Sequence, residues 1–167
     1  MLSWFAVYVN VKHEKKVVQK LQDIHVEAYS PVIKKLQQWS DRKKWVEFPM
    51  LSGYVFVKID IADKEKVLRC PGVFAFIKFN GIEARIRDSE ILILKSIEES
   101  GYDVTQELVE VKLNDNVIIT QGALKGLKGT IVQFQNTDYV QLELESLNQT
   151  IKVKIQKHIL KSVENII

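Results

Sequence analysis

Cysteine is nearly absent. Cys70 is the only one among 167 residues, so an internal disulfide and a thiolate metal cluster are both excluded, which suits a reducing compartment. Histidine is scarce as well: His13, His25 and His158 stand singly, without metal-ligand spacing. HExxH, GxSxG and paired-carboxylate patterns are missing too, so neither an enzyme nor a cofactor or metal site is expected. Arg69 beside Cys70 is the kind of neighbour that lowers a thiol pKa, but no histidine stands near to make a nucleophile of it. No apolar run approaches the roughly 18 residues of a membrane helix. The start MLSWFAVYVNVK lacks a basic lead and a small-residue cleavage site. The expectation is a cytoplasmic protein with no membrane contact.

Hydrophobic residues make up 46% of the chain, enough for one ordinary core or two small ones. The net charge of +3 is unevenly spread: residues 1–99 hold 17 Lys/Arg against 13 Asp/Glu, and residues 100–167 hold 7 against 8. The front is the basic part.

Residues 3–10, SWFAVYVN, are rich in aromatic and β-branched types and predict a strand. HEKKVVQKLQDI follows, with Val17, Leu21 and Ile24 at helical spacing. Residues 28–37 and 44–50 are extended segments around the polar turn WSDRKK, a basic-tipped hairpin with Pro49 at an edge. Next come a strand at 53–60, a brief helix around Asp63–Arg69 stopped by Pro71, and a strand at 73–79 ending in the turn pair Asn80-Gly81. Asp88 and Ser89 predict the start of a last helix, with Ile91, Leu94 and Ile97 on one face and Gly101 at its end. The text turns polar and irregular from Ser100 to Glu110, where a linker is expected. Strands at 117–120, 129–134, 139–145 and 150–155 follow, the last two alternating apolar and polar residues without a slip. So few short strands fit a small closed barrel.

Seven glycines serve the whole chain, and three of them fall in GALKGLKG, Gly122 to Gly129. A phosphate loop needs Gly-Lys followed by Ser or Thr and then a helix. Here Lys128 precedes Gly129 and the strand-like Thr130-Ile131-Val132. These glycines read as a device for turning a tight corner.

In the front part, Val55, Val57 and Ile59 alternate with Tyr54, Phe56 and Lys58, and Val73, Ala75 and Ile77 with Phe74, Phe76 and Lys78. The first strand sets Phe5, Val7 and Val9 against Trp4, Ala6 and Tyr8. Three helices suffice to cover the aliphatic face, leaving an outward aromatic one. Each ring buries roughly 150–250 Å², so four together exceed the apolar patch of an ordinary monomer and imply a partner. The plain alternative makes them core, covered by the hairpin or by the second domain. The basic run Lys34, Lys35, Arg42, Lys43, Lys44, interleaved with Trp39 and Trp45, suits either nucleic acid or a solvated hairpin tip.

Val117 to Val132, VIITQGALKGLKGTIV, resembles the KOW motif, which forms two strands and a loop of an SH3-like barrel. Trp4-Phe5-Ala6-Val7-Tyr8, a Lys-rich helix, Pro49 to Val57 (PMLSGYVFV) and Pro71-Gly72-Val73 resemble, in order, the N-terminal domain of NusG-type transcription factors. Ser52 stands where that family usually carries proline. The resemblance implies an α+β protein with three parts: an N-terminal α/β sandwich with a mostly antiparallel sheet over 1–100, a linker over 101–110, and a KOW barrel over 111–167. It implies a monomer that binds the clamp coiled coil of RNA polymerase through Trp4, Tyr8, Leu51, Tyr54, Phe56 and Ile91, favouring elongation over pausing. Lys12 and Arg69 are then placed near the non-template DNA strand, with Arg42, Lys43 and Lys44 as further nucleic-acid contacts. Gly122, Lys125, Gly126 and Gly129 form the KOW loop, and the barrel's partner is Rho termination factor or a ribosomal protein. The Trp-Phe-x-x-Tyr start and VIITQGALKG are similar to the RfaH-like and capsular-polysaccharide antiterminators. The alternation at 139–155 favours strands over the helical hairpin known in that branch. The rival is a ribosomal-type protein whose KOW barrel grips RNA directly; a charge of −1 over 100–167 argues against it.

Overall fold

The first strand of the chain is the one around which the front sheet is arranged. In the computed structural model, which describes residues 1–101, 104–107, 116–134, 137–155 and 160–162, β1 (Ser3–Val9) is followed by α1 (Glu14–Asp23), β2 (Glu27–Tyr29), β3 (Val32–Gln38), β4 (Lys43–Pro49) and β5 (Tyr54–Ile59). A 3-10 turn at Ile61–Asp63 leads into α2 (Lys64–Leu68) and then β6 (Val73–Phe76), β7 (Lys78–Phe79), β8 (Ile82–Glu83), β9 (Arg85–Ile86) and α3 (Asp88–Ser100). The chain divides into two units, Met1–Ile91 and Leu92–Ile167.

In the first unit the sheet order is β2-β5-β1-β6, with β9 also on β1. β5 pairs along nearly all of β1, while the other edge of β1 is shared: β6 takes Val7 to Val9 and β9 takes Trp4 and Phe5. The core lies on one face, where Phe5, Val7, Val9, Val55, Val57 and Ile59 meet Val17 and Leu21 of α1 and Val67 of α2. Each such aliphatic side chain contributes about 1.5–3 kcal/mol by leaving water. Two helices supply this cluster rather than three; the buried Ile91, Leu94 and Ile97 of α3 are outside it.

The 73–79 segment departs from strict alternation. Val73 pairs with Val9 and Phe76 with Val7, and the register shifts between Tyr8 and Val9. This bulge sets one extra residue, Phe74, against a single step of β1, so that Val73 and Phe76 both keep to the core side, Phe76 edge-on to Phe5 at 6.1 Å between ring centroids. Phe74, not Phe76, is the exposed ring of that strand. The hairpin β7–β8 turns at Asn80-Gly81, both at positive φ (51° and 79°), the geometry for which the Asn-Gly pair is favoured.

The second unit contains β10 (Val104–Glu107), β11 (Asn116–Ile119), β12 (Lys128–Phe134), β13 (Thr137–Leu144), β14 (Gln149–Val153) and β15 (Leu160–Ser162). They form a six-stranded sheet in the order β10-β14-β13-β12-β11-β15. β10 falls within the segment that composition marks as linker: its backbone pairs with β14 from Val104 opposite Val153 to Glu107 opposite Thr150. Val140, Leu142, Leu144, Ile151, Val153 and Ile155 are buried, the period-two set. Gln141 and Lys152, expected outside, are buried too; they face one another in mid-sheet, with Thr130 and Thr105 on the flanking strands. Every strand pair among the described residues is antiparallel. The mixed α/β, mostly antiparallel fold is the one expected, and the second sheet fits a KOW-type barrel. Residues 111–115 and His158 lie outside the described residues. Among those described, no helix is long and apolar enough to cross a membrane.

Candidate functional site

The face of the front sheet opposite the core is aromatic by cross-strand pairing. Trp4 stands opposite Lys58, Ala6 opposite Phe56 and Tyr8 opposite Tyr54. Their rings interact: Tyr8 and Tyr54 are 5.2 Å apart between centroids, Tyr29 and Phe56 6.3 Å, and the Lys58 ammonium sits 5.7 Å from the Trp4 ring, within cation–π range. The alternation of types therefore does place these residues on one face.

The outward plate of rings does not survive, however. Phe56 and Leu51 are fully buried and Trp4, Tyr54 and Ile91 nearly so, while Tyr8 is 44% exposed. Within the sheet, Phe56 stands between Ala6 and Tyr29 on a strand paired on both sides, and Trp4 has Ile86 as its other neighbour. Tyr8 alone of the six expected contacts is open. Burial and a hydrogen bond with the Tyr8 hydroxyl push Tyr54 up to about 12.

Leu51 and Tyr54 flank a loop held by backbone bonds. Met50 N–H donates to Pro31 O at 2.7 Å, Tyr54 N–H to Leu51 O at 3.3 Å, and Val9 N–H to Gly53 O at 2.9 Å. Gly53 N–H donates to Glu14 Oε1 at 2.7 Å, a buried carboxylate reaching in from α1. These bonds fix the loop around Ser52. Nothing in the local sequence around Glu14 announces that role, since its partner is 39 positions away.

Lys12 and Arg69 are exposed. The loops that carry them are joined, since Asn10 N–H donates to Gly72 O at 3.3 Å, and Lys12 itself sits at φ 68°. Cys70, three positions before Val73, is buried, and that burial raises its thiol pKa, against a smaller lowering by Lys20; the activating neighbour expected in Arg69 does not lower it.

The basic hairpin is a separate two-stranded sheet, β3 with β4. Its root is half-buried at Val32, Ile33, Val46 and Phe48, and Lys15 of α1 bonds Glu47 at 2.8 Å. Beyond the root the side chains are exposed, including Leu36 at 49%, Trp39 at 53% and Trp45 at 66%. Leu36 and Trp45 stand directly opposite one another. Arg42, Lys43 and Lys44 are at its tip end, exposed. The aromatic surface left open thus lies here more than on the sheet.

In the second unit the glycine-rich stretch joins β11 to β12. Gly122 and Gly126 adopt φ 84° and 88°, and Gly126 N–H closes the turn on Ile119 O at 2.7 Å. A Cβ at Gly129 would lie 2.6 Å from Gln141 O and 2.5 Å from Val140 Cγ1, so the strands approach where only glycine fits. Lys125 is exposed on the turn. The stretch serves the chain's path.

A helix-backed sheet with an aromatic face and a cationic hairpin, followed along the chain by a small antiparallel sheet with a glycine corner, makes a two-unit α/β protein. A family model described as "Transcription termination factor nusG" matches residues 2–95, and one described as "Transcription elongation factor SPT5, fifth KOW domain" matches residues 113–157. The chain belongs to the NusG family of transcription elongation factors. Its fold is similar to that in "Domain interaction in Thermotoga maritima NusG", at 20% identity over 98% of both chains with TM-score 0.58. A second similar structure, "Crystal Structure of MjSpt4:Spt5 complex conformation A", has 20% identity over 96% of this chain and 97% of that one, with TM-score 0.33. No curated protein matches the chain.

Proposed function

We propose that this chain acts in transcription elongation and antitermination by docking its first unit on the clamp coiled coil of RNA polymerase, with Tyr8 as the exposed contact. What supports this is the family match over 2–95 together with the Tyr8–Tyr54 pair at the open edge of the aromatic face. A coiled coil presents an apolar ridge, and a tyrosine supplies area at little entropic cost. Trp4, Leu51, Tyr54, Phe56 and Ile91 contribute area only once uncovered, so Tyr8 makes the first contact and the others form the bed beneath it. Lys12 and Arg69 approach the non-template DNA strand from their joined loops. The second unit recruits a further protein, Rho termination factor or a ribosomal protein, through its KOW barrel, working as a strand-built unit without a helical alternative.

The test is a pull-down of RNA polymerase by the full chain. Tyr8→Ala weakens capture by about tenfold or more, the size of a hot-spot truncation, and the loss persists at raised salt because the contact is apolar. Capture by Tyr8→Ala equal to that of the unaltered chain removes the proposed docking face.

A further inference from the structure

The hairpin β3–β4 concentrates what the rest of the molecule dilutes. Residues 32–49 hold five Lys/Arg against Asp41 and Glu47, a net +3 that equals the charge of the entire chain. Glu47 is already engaged by Lys15, whose ammonium holds that carboxyl below its ordinary range. The field at the tip end is therefore cationic.

Register sets Trp45 among cations on one face of the hairpin and further cations on the other. Trp45 shares its face with Leu36 opposite and Lys43 two residues before it; Lys34, opposite Glu47, is on the same side. Strand alternation sets Lys44 with Gln37 and Val46 with Lys35 on the other face. The turn is closed by Trp39 N–H donating to Arg42 O at 2.7 Å, and its indole is half exposed. A solvated tip needs no indoles, and two exposed ones cost hydration. An apolar protein ridge would gain nothing from lysines beside the rings. The combination of flat aromatic faces with cations a residue or two away matches a ligand with both bases and phosphates.

We propose that the β3–β4 hairpin is a binding arm for single-stranded RNA, in which Trp45 and Trp39 stack on unpaired bases and Lys34, Lys43 and Lys44 bind the phosphates between. A duplex hides its base faces, so indoles select an unpaired strand. The tip also carries Ser40 and Asp41 beside Trp39. Asp41 accepts hydrogen bonds and donates none, so against a polyanion it calls for a donor on the strand; base N–H groups offer one on either sugar, and ribose adds the 2′-hydroxyl that deoxyribose lacks. This arm is independent of the polymerase contact, and its test contains no polymerase, so either idea can fail alone.

The experiment titrates the full chain with a short oligouridylate, the matching oligodeoxyuridylate and a short DNA duplex, reading tryptophan fluorescence. Stacking quenches the two exposed indoles. Trp45→Ala weakens RNA binding roughly ten- to hundredfold, and Trp45→Phe restores most of it. The double change Lys43→Ala with Lys44→Ala flattens the slope of log affinity against log salt by about 1.4, two phosphates at about 0.7 each for a single strand. Thermal melts of these variants match the parent, since Trp45, Lys43 and Lys44 are all exposed. Absence of RNA binding, binding indifferent to Trp45→Ala, or deoxy or duplex affinity equal to that for RNA each overturns the proposal.

Discussion

Tyr54 ties the chemistry of one hydroxyl to the stability of the front unit. Burial, then a hydrogen bond with Tyr8, raise its pKa from 10 to about 12, so the folded state holds the proton more tightly than the unfolded chain does. Stability from this group is fully present below about pH 10 and is lost as pH climbs through 12. Urea midpoints measured from neutral pH upward therefore fall in that window, and Tyr54→Phe shows a shallower fall. At Gly72 the constraint is steric. Its φ is 100°, and an added Cβ would meet Val17 Cγ2 at 2.9 Å in the core. Gly72→Ala costs about 1–3 kcal/mol from the backbone alone, seen as a lowered denaturant midpoint. The Pro71-Gly72-Val73 triplet was legible as a marker of the family, but the reason for its glycine was not, because Val17 comes from α1.

Between elements, the linkage of α1 to the loop before β5 rests on one carboxylate. Glu14 is buried with its Oε1 on Gly53 N–H, so Glu14→Ala leaves that donor without its partner at about 1–3 kcal/mol, whereas Glu14→Gln keeps an acceptor and loses less. Thermal unfolding of the two variants gives the order. Helices and strands themselves were readable: Val17 and Leu21 at helical spacing specify α1, and Asn80-Gly81 specifies the β7–β8 turn. The bulge opposite Tyr8 and Val9 was not, since two faces of VFAFIKF are equally apolar in composition and only pairing with β1 decides which ring turns inward. β10 was missed for a related reason. Its residues show no alternation, and a strand of this kind forms because β14 offers an unpaired edge.

At the scale of the molecule, charge and apolar area are allotted to different places. The front holds the excess of cations, gathered on the β3–β4 hairpin, and the open aromatic area is shared among that hairpin, Tyr8, Phe74 and Phe79. The two proposed contacts consequently respond to salt in opposite ways, apolar docking tolerating it and phosphate binding collapsing.

Periodicity and turn chemistry are local, and so the sequence by itself determined the kinds and order of elements, the glycine corner of the second unit and the membership in a family whose pieces recur in the same order. Exposure is not local. Phe56 and Tyr8 have the same alternation pattern and the same face, yet one is sealed and the other open, because burial depends on which strands and loops arrive from elsewhere in the chain. Only the tertiary structure decided that, and with it which rings are available to a partner.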